Sequence, residues 1–214
     1  AKYGYPPLAV PVAMDALVVV VNQDNPLNSI DSQQLDALFS ITRLCGATAV
    51  PQYWGDLQLT APSWQRRTLQ RFGRNSASGT WGFFKQQALC NGDFRQDVSE
   101  YPGSAAVVQS VASSLNGIGY ASIGFHISGV KTLAIGRDGQ PGVMPTTENI
   151  RNGSYPYIRP LYIYVNKAPG KPLEPLTRAF LQQAISPQGQ ALVERSGYLP
   201  LSDTQLRQAQ VLLE

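Results

Sequence analysis

The chain has 214 residues, 43% hydrophobic and only 14% charged, a balance that suits a packed core and excludes a disordered polypeptide. Its formal net charge is +3 and no basic run is longer than Arg66-Arg67, which argues against the dense basic face of a nucleic-acid-binding protein. The longest apolar run, residues 16–21, is far too short to span a bilayer.

The opening Ala1-Lys2-Tyr3-Gly4-Tyr5 reads as the middle of a longer polypeptide with no export signal in view, so processing or truncation upstream is expected. Residues 8–21 are valine-rich, and their second half reads as a strand buried on both faces, broken by Asn25-Pro26. Asp31 is placed to cap a helix, Gln34 completes a capping box, and Leu35, Leu38 and Phe39 form the apolar stripe. Residues 41–62 look irregular, with a turn at Trp54-Gly55-Asp56. Residues 64–72 are too polar and arginine-rich to place, although 69–72 suit a strand leading into Gly73. A helix is expected over residues 80–89 on the stripe Trp81, Phe84 and Ala88, stopped by Cys90-Asn91-Gly92. Another is expected over about residues 103–115, on Ala105, Val108, Val111, Ala112 and Leu115. Residues 118–125 read as a short glycine-containing strand and turn, 130–135 as a further strand, and 136–154 as loop. Aromatic and β-branched residues make 157–165 a strong strand signal. Helices follow over 173–184, with Leu176, Phe180 and Ala184 in register, over 187–195 between Pro187 and Gly197, and over 203–213. Alternating strands and helices define an α/β protein.

The sharpest chemical signal is Gly73-Arg74-Asn75-Ser76-Ala77-Ser78-Gly79-Thr80 ahead of an aromatic helix. A helix N-terminus presents unpaired N–H groups and partial positive charge, which together attract anions. Ser76, Ser78 and Thr80 can donate hydroxyl hydrogen bonds, Gly79 admits close backbone approach, and Arg74 supplies a planar bidentate cation. A Ser/Gly/Thr turn that merely caps the helix fits the same residues. The segment lacks the Lys-Ser/Thr ending of a nucleotide P-loop, and no Gly-x-Gly-x-x-Gly is present. His126 is the single histidine, which excludes a multi-histidine metal site and reads as a partly buried structural residue. No Gly-x-Ser-x-Gly elbow occurs. Asp93, Asp97 and Glu100 read as solvated caps, and Tyr155, Tyr157, Tyr162 and Tyr164 as strand packing. Cys45 and Cys90 each adjoin turn residues, Gly46 and Asn91-Gly92, so a bridge between surface loops and two unlinked thiols both fit.

Four segments in order resemble the substrate-binding proteins of phosphate ABC transporters, in the type II periplasmic binding protein superfamily. They are residues 10–22 with Asn25-Pro26-Leu27, Arg74-Asn-Ser-Ala-Ser-Gly-Thr80 with Phe83-Phe84, Gly117-Ile-Gly-Tyr120, and residues 155–165. The resemblance covers nearly all of the chain, and the arginine followed by Ser-Gly-Thr is its most specific part. It implies a mixed sheet flanked by helices, built as a central lobe plus the C-terminal part of the other lobe. Residues 1–165 would form the hinge strand and central lobe, and 166–214 C-terminal helices of the other. By the same resemblance Arg74, Ser78, Gly79 and Thr80 match phosphate contacts. Ser76 stands where some members carry an aspartate that accepts the proton of hydrogen phosphate, which weakens discrimination against sulfate. The implied protein is periplasmic or secreted, binds inorganic phosphate without catalysis, cofactor or metal, and delivers it to a membrane permease. Export favours the Cys45–Cys90 bridge. Members of this family usually begin with about a lobe's worth of sequence that has no counterpart here. A ligand-free scaffold of the same fold and, more remotely, a phosphoester hydrolase are the rival functions.

Overall fold

The computed structural model describes residues 4–125, 127–137 and 139–213; the expectation for His126 lies outside them, as does the start of the opening pentapeptide. In chain order the elements are β1 (Leu8–Asn22), β2 (Ser29–Asp31), α1 (Ser32–Phe39), a 3₁₀ turn (Trp54–Leu57), α2 (Pro62–Gln65), β3 (Gln70–Arg74), α3 (Gly79–Ala88), β4 (Val98–Tyr101), α4 (Ser104–Ser113) and β5 (Gly117–Ser122). They continue with β6 (Val130–Thr132), β7 (Ala134–Gly136), α5 (Thr147–Arg151), β8 (Ile158–Val165), α6 (Pro175–Ile185), α7 (Pro187–Arg195) and α8 (Asp203–Leu212).

Local chemistry accounts for most of these boundaries. Asp31 accepts from the Gln34 amide at 2.7 Å while Gln34 accepts from the Asp31 amide at 3.0 Å, so the expected capping box opens α1. Helix α7 has the bounds expected of it, with Pro187 in its first turn and the Ser186 side chain accepting from Gly189. Helix α5 interrupts a stretch read as loop. Thr146 caps it, but five residues are too few to display an apolar period.

The chain divides into two compact units, Ala1–Ala16 with Ile158–Glu214, and Leu17–Tyr157. The division therefore precedes β8 instead of falling at 165/166. Strand β8 pairs antiparallel with the first half of β1, from Leu8↔Val165 to Ala16↔Ile158, and Ile163 and Val165 pack with Val10, Leu181 and Ile185. Pairing and packing thus join it to the C-terminal helices.

Within the unit Leu17–Tyr157 the strands run in the order β4-β3-β5-β1-β6. β3 is parallel to β4 and β5, whereas β1 is antiparallel to β5 and β6, so the sheet is mixed. Successive residues of β5 face opposite sides. On one side Gly119 lies against α4: an added Cβ would stand 2.9 Å from Val107 Cγ1 and 3.0 Å from Val111 Cγ2. Val18, Val20, Val108, Val111 and Ala121 form the core there. On the other side Tyr120 packs with Phe39 of α1 and Phe84 of α3. The helices thus flank both faces, as the resemblance implied. No helix among the described residues is long and apolar enough to cross a membrane.

Candidate anion-binding site

Strand β3 leads through residues 75–78 into α3 and then to β4, and α4 returns the chain to β5 on the opposite face. Because β3 and β4 are parallel, the loops leaving both emerge at the same edge of the sheet. Their helices depart to opposite faces, the kind of divergence at which α/β sheets bind ligands. The Asn75 amide donates to the Tyr101 carbonyl at 3.0 Å and joins the two loops.

Arg74 is the last residue of β3. Its guanidinium is held by the second loop: Nη1 donates to Ser104 Oγ at 3.0 Å and Nη2 to the Pro102 carbonyl at 2.8 Å. Both partners are neutral, and among the described residues no carboxylate pairs with Arg74. Its Nε is buried without a hydrogen bond, a condition that calls for an explanation in a folded protein.

Ser78 is the N-cap of α3, and its Oγ accepts from the Thr80 amide at 3.1 Å. The capping role is therefore present, and it leaves the serine hydroxyl hydrogen to donate elsewhere. Thr80 is buried at the start of the helix, while Ser76 and Gly79 are exposed. Arg74 makes no hydrogen bond to Ser76 or Ser78 among those described; its side chain belongs to the Pro102–Ser104 corner. The positive end of α3 and the uncompensated charge of Arg74 thus flank one short loop.

Sequence reasoning missed Ser104, which is buried and accepts from both Arg74 and the Ser122 amide. Pro102-Gly103-Ser104 ahead of an apolar stripe signalled a helix start, but its proximity to Arg74 depends on the parallel pairing of β3 with β4. It also missed Arg71, 4% exposed, which donates to the carbonyls of Leu38 and Pro51 and to Asp97 Oδ2 at 3.1 Å. Asp97, expected as a solvated cap, is instead shared by Arg71 and Arg95. The Arg95 hydrogen bonds, ahead of the Arg71 charge, hold its carboxyl below the ordinary range despite partial burial. Asp93 is exposed and pairs with Lys85 at 2.8 Å.

Cys45 and Cys90 form a disulfide, S–S 2.08 Å, between the loop after α1 and the end of α3. A polar pocket of about 480 Å³ beside it includes Asp31, Gln87 and Arg137 and shares no residue with the Arg74 loop. Arg137 there lies over the Tyr157 ring at 5.3 Å and donates to Gln87. Among the described residues no group of three or more His, Cys, Asp or Glu side chains is placed to hold a metal ion.

This architecture defines a class: an α/β unit in which an arginine held by neutral partners ends the strand before a capped helix N-terminus. A family model described as the PBP superfamily domain matches residues 2–188. The chain belongs to that superfamily. It is 54% identical over 201 residues to the phosphate-binding protein PstS of Pseudomonas aeruginosa, a match covering 94% of this chain and 62% of the relative. Protein SphX of Synechococcus elongatus is 29% identical over 204 residues, covering 94% of this chain and 58% of that protein. The chain therefore spans about three-fifths of the length of these relatives. Among solved structures, a possible phosphate binding protein from Planctomyces limnophilus superposes with a TM-score of 0.73 at 27% identity, covering 99% of this chain and 73% of that one. An ABC-type phosphate transport receptor from Vibrio cholerae shares the fold, with a TM-score of 0.70 at 20% identity over 91% of this chain and 72% of that one.

Proposed function

We propose that this chain binds inorganic phosphate as part of the extracytoplasmic substrate-binding component of a phosphate ABC transporter, and passes it on unchanged. Arg74, Ser76, Ser78, Gly79 and Thr80 are its contribution to the ligand contacts. The observation that carries the proposal is the charge of Arg74. It is held by neutral partners, pairs with no carboxylate among the described residues, and stands where β3 turns into the N-terminus of α3. The identity to a relative named as phosphate-binding supports the choice of oxyanion. The disulfide, of a kind that persists in oxidising compartments, supports a periplasmic or secreted location, and the partner in delivery is a membrane permease.

Ser76 in place of a carboxylate removes a like charge that would reject fully deprotonated anions, so sulfate should compete better than it does where an aspartate stands. Calorimetric titration with phosphate, sulfate and molybdate tests the proposal. Phosphate should give a saturable heat, and Arg74→Ala should weaken binding by about 1.5–3 kcal/mol, the worth of charged hydrogen bonds. Absence of phosphate heat at near-millimolar ligand would reject it in favour of a ligand-free scaffold.

A further inference from the structure

We propose that Tyr120 is a positioning residue for the anion-binding loop, setting the backbone of Arg74 relative to the first turn of α3. The proposal rests on the phosphate reading of that loop but draws on a different part of the structure. Tyr120 is completely buried. Its ring lies parallel to Phe84 of α3, centroids 3.9 Å apart and planes 5° from each other, and meets Phe39 edge-on at 5.7 Å. Its hydroxyl donates to the Arg74 carbonyl at 3.3 Å. Burial raises the phenol above its ordinary range, so it stays a protonated donor at neutral pH.

Gly73 makes this approach feasible. A Cβ there would stand 2.7 Å from Tyr120 Cε1 and 2.9 Å from its Oη, closer than side chains pack. One side chain consequently touches the end of β3, the residue bearing the site's cation, and the helix whose N-terminus faces the anion. Ser104 and Pro102 hold the guanidinium of Arg74, and Tyr120 holds its main chain. Arg74 and Tyr120 belong to two separate segments of the resemblance, and here the hydroxyl of Tyr120 meets the carbonyl of Arg74.

Tyr155 supplies the control. It is equally buried in the same unit, and its hydroxyl donates to the Leu17 carbonyl at 2.8 Å. Tyr120→Phe and Tyr155→Phe each remove one buried phenol–carbonyl bond and keep the ring. Inorganic phosphate affinity by calorimetry and amide hydrogen exchange over residues 75–80 should be compared between them, alongside melting temperature. Tyr120→Phe should weaken phosphate binding by about fivefold and speed exchange in the loop by a similar factor, the scale of one hydrogen bond. Tyr155→Phe should leave both unchanged despite a comparable fall in melting temperature. Gly73→Ala, which crowds the ring instead of trimming it, should reproduce the Tyr120→Phe pattern. Equal effects of the two tyrosine variants on loop exchange would overturn the positioning role. If the unaltered chain gives no phosphate heat, the phosphate reading fails and the exchange comparison still decides the role of Tyr120.

Discussion

Arg71 shows how a residue's role is set by partners distant in sequence. Charged side chains are rarely buried without partners, and Arg71 draws its acceptors from Leu38, Pro51 and Asp97. Arg71→Leu would leave those carbonyls unsatisfied. We expect a loss of about 3–5 kcal/mol, the usual result of removing one member of a buried charged network, measured by urea unfolding. The two carboxylates nearby respond to pH with opposite signs. Asp97 titrates below its ordinary range, so its stabilisation is present above the unfolded-state pKa and lost as pH falls through the folded value. Asp36 is buried, with Oδ2 accepting from the Cys45 amide and Oδ1 lacking a hydrogen bond. Burial raises its pKa against the opposing pull of the Cys45 and Ala47 amides, Ser40 and Arg43. Its contribution is therefore favourable at low pH and lost as pH rises. Asp36→Asn should raise the melting temperature at pH 7.5, and the gain should vanish in acid, where the wild-type carboxyl is already neutral. A melting-temperature series across pH checks both signs.

At the scale of elements, the existence of the helices of eight residues or more was legible, that of the short α2 and α5 was not, and helix orientation was only partly so. The capping boxes, Pro187 and the glycine stops are local chemistry, which sequence displays directly. The face of α6 is not local. Leu176 and Phe180, expected as its buried stripe, are 76% and 61% exposed, and Leu181 and Ile185 pack against Val10 instead. An apolar period says which residues share a face, but two overlapping periods in one helix are separated only by what packs there. Leu181→Ala should cost about 2–5 kcal/mol as a core truncation, whereas Phe180→Ser should change stability by no more than about 0.5 kcal/mol. Chemical denaturation of the pair distinguishes the faces. Strand β8 behaves similarly: Tyr162 and Tyr164, read as strand packing, are exposed, while Tyr155 and Tyr157 just before it are fully buried. The disulfide closes a sequence separation of 45 residues. Its reduction should cost about 4 kcal/mol by loop entropy, visible as a lower urea midpoint in reductant.

For the whole molecule, ligand linkage offers a test that needs no mutation. Phosphate at a hundredfold excess over its dissociation constant should stabilise the fold by about 2.7 kcal/mol, read as an upward thermal shift that phosphate produces more strongly than chloride. Sequence alone determined the α/β class, the capping box of α1 and the superfamily, because turns, caps and contiguous motifs are properties of neighbouring residues. Tertiary structure alone decided that β8 joins the C-terminal unit, that Ser104 holds Arg74, that Arg71 is interior, and that Gly73 makes room for Tyr120. Each of those depends on strand order or on contacts between residues far apart in sequence, such as Leu8 with Val165, 157 positions on. Nothing in a local pattern encodes which distant backbone carbonyl or ring will stand opposite a side chain once the sheet has formed.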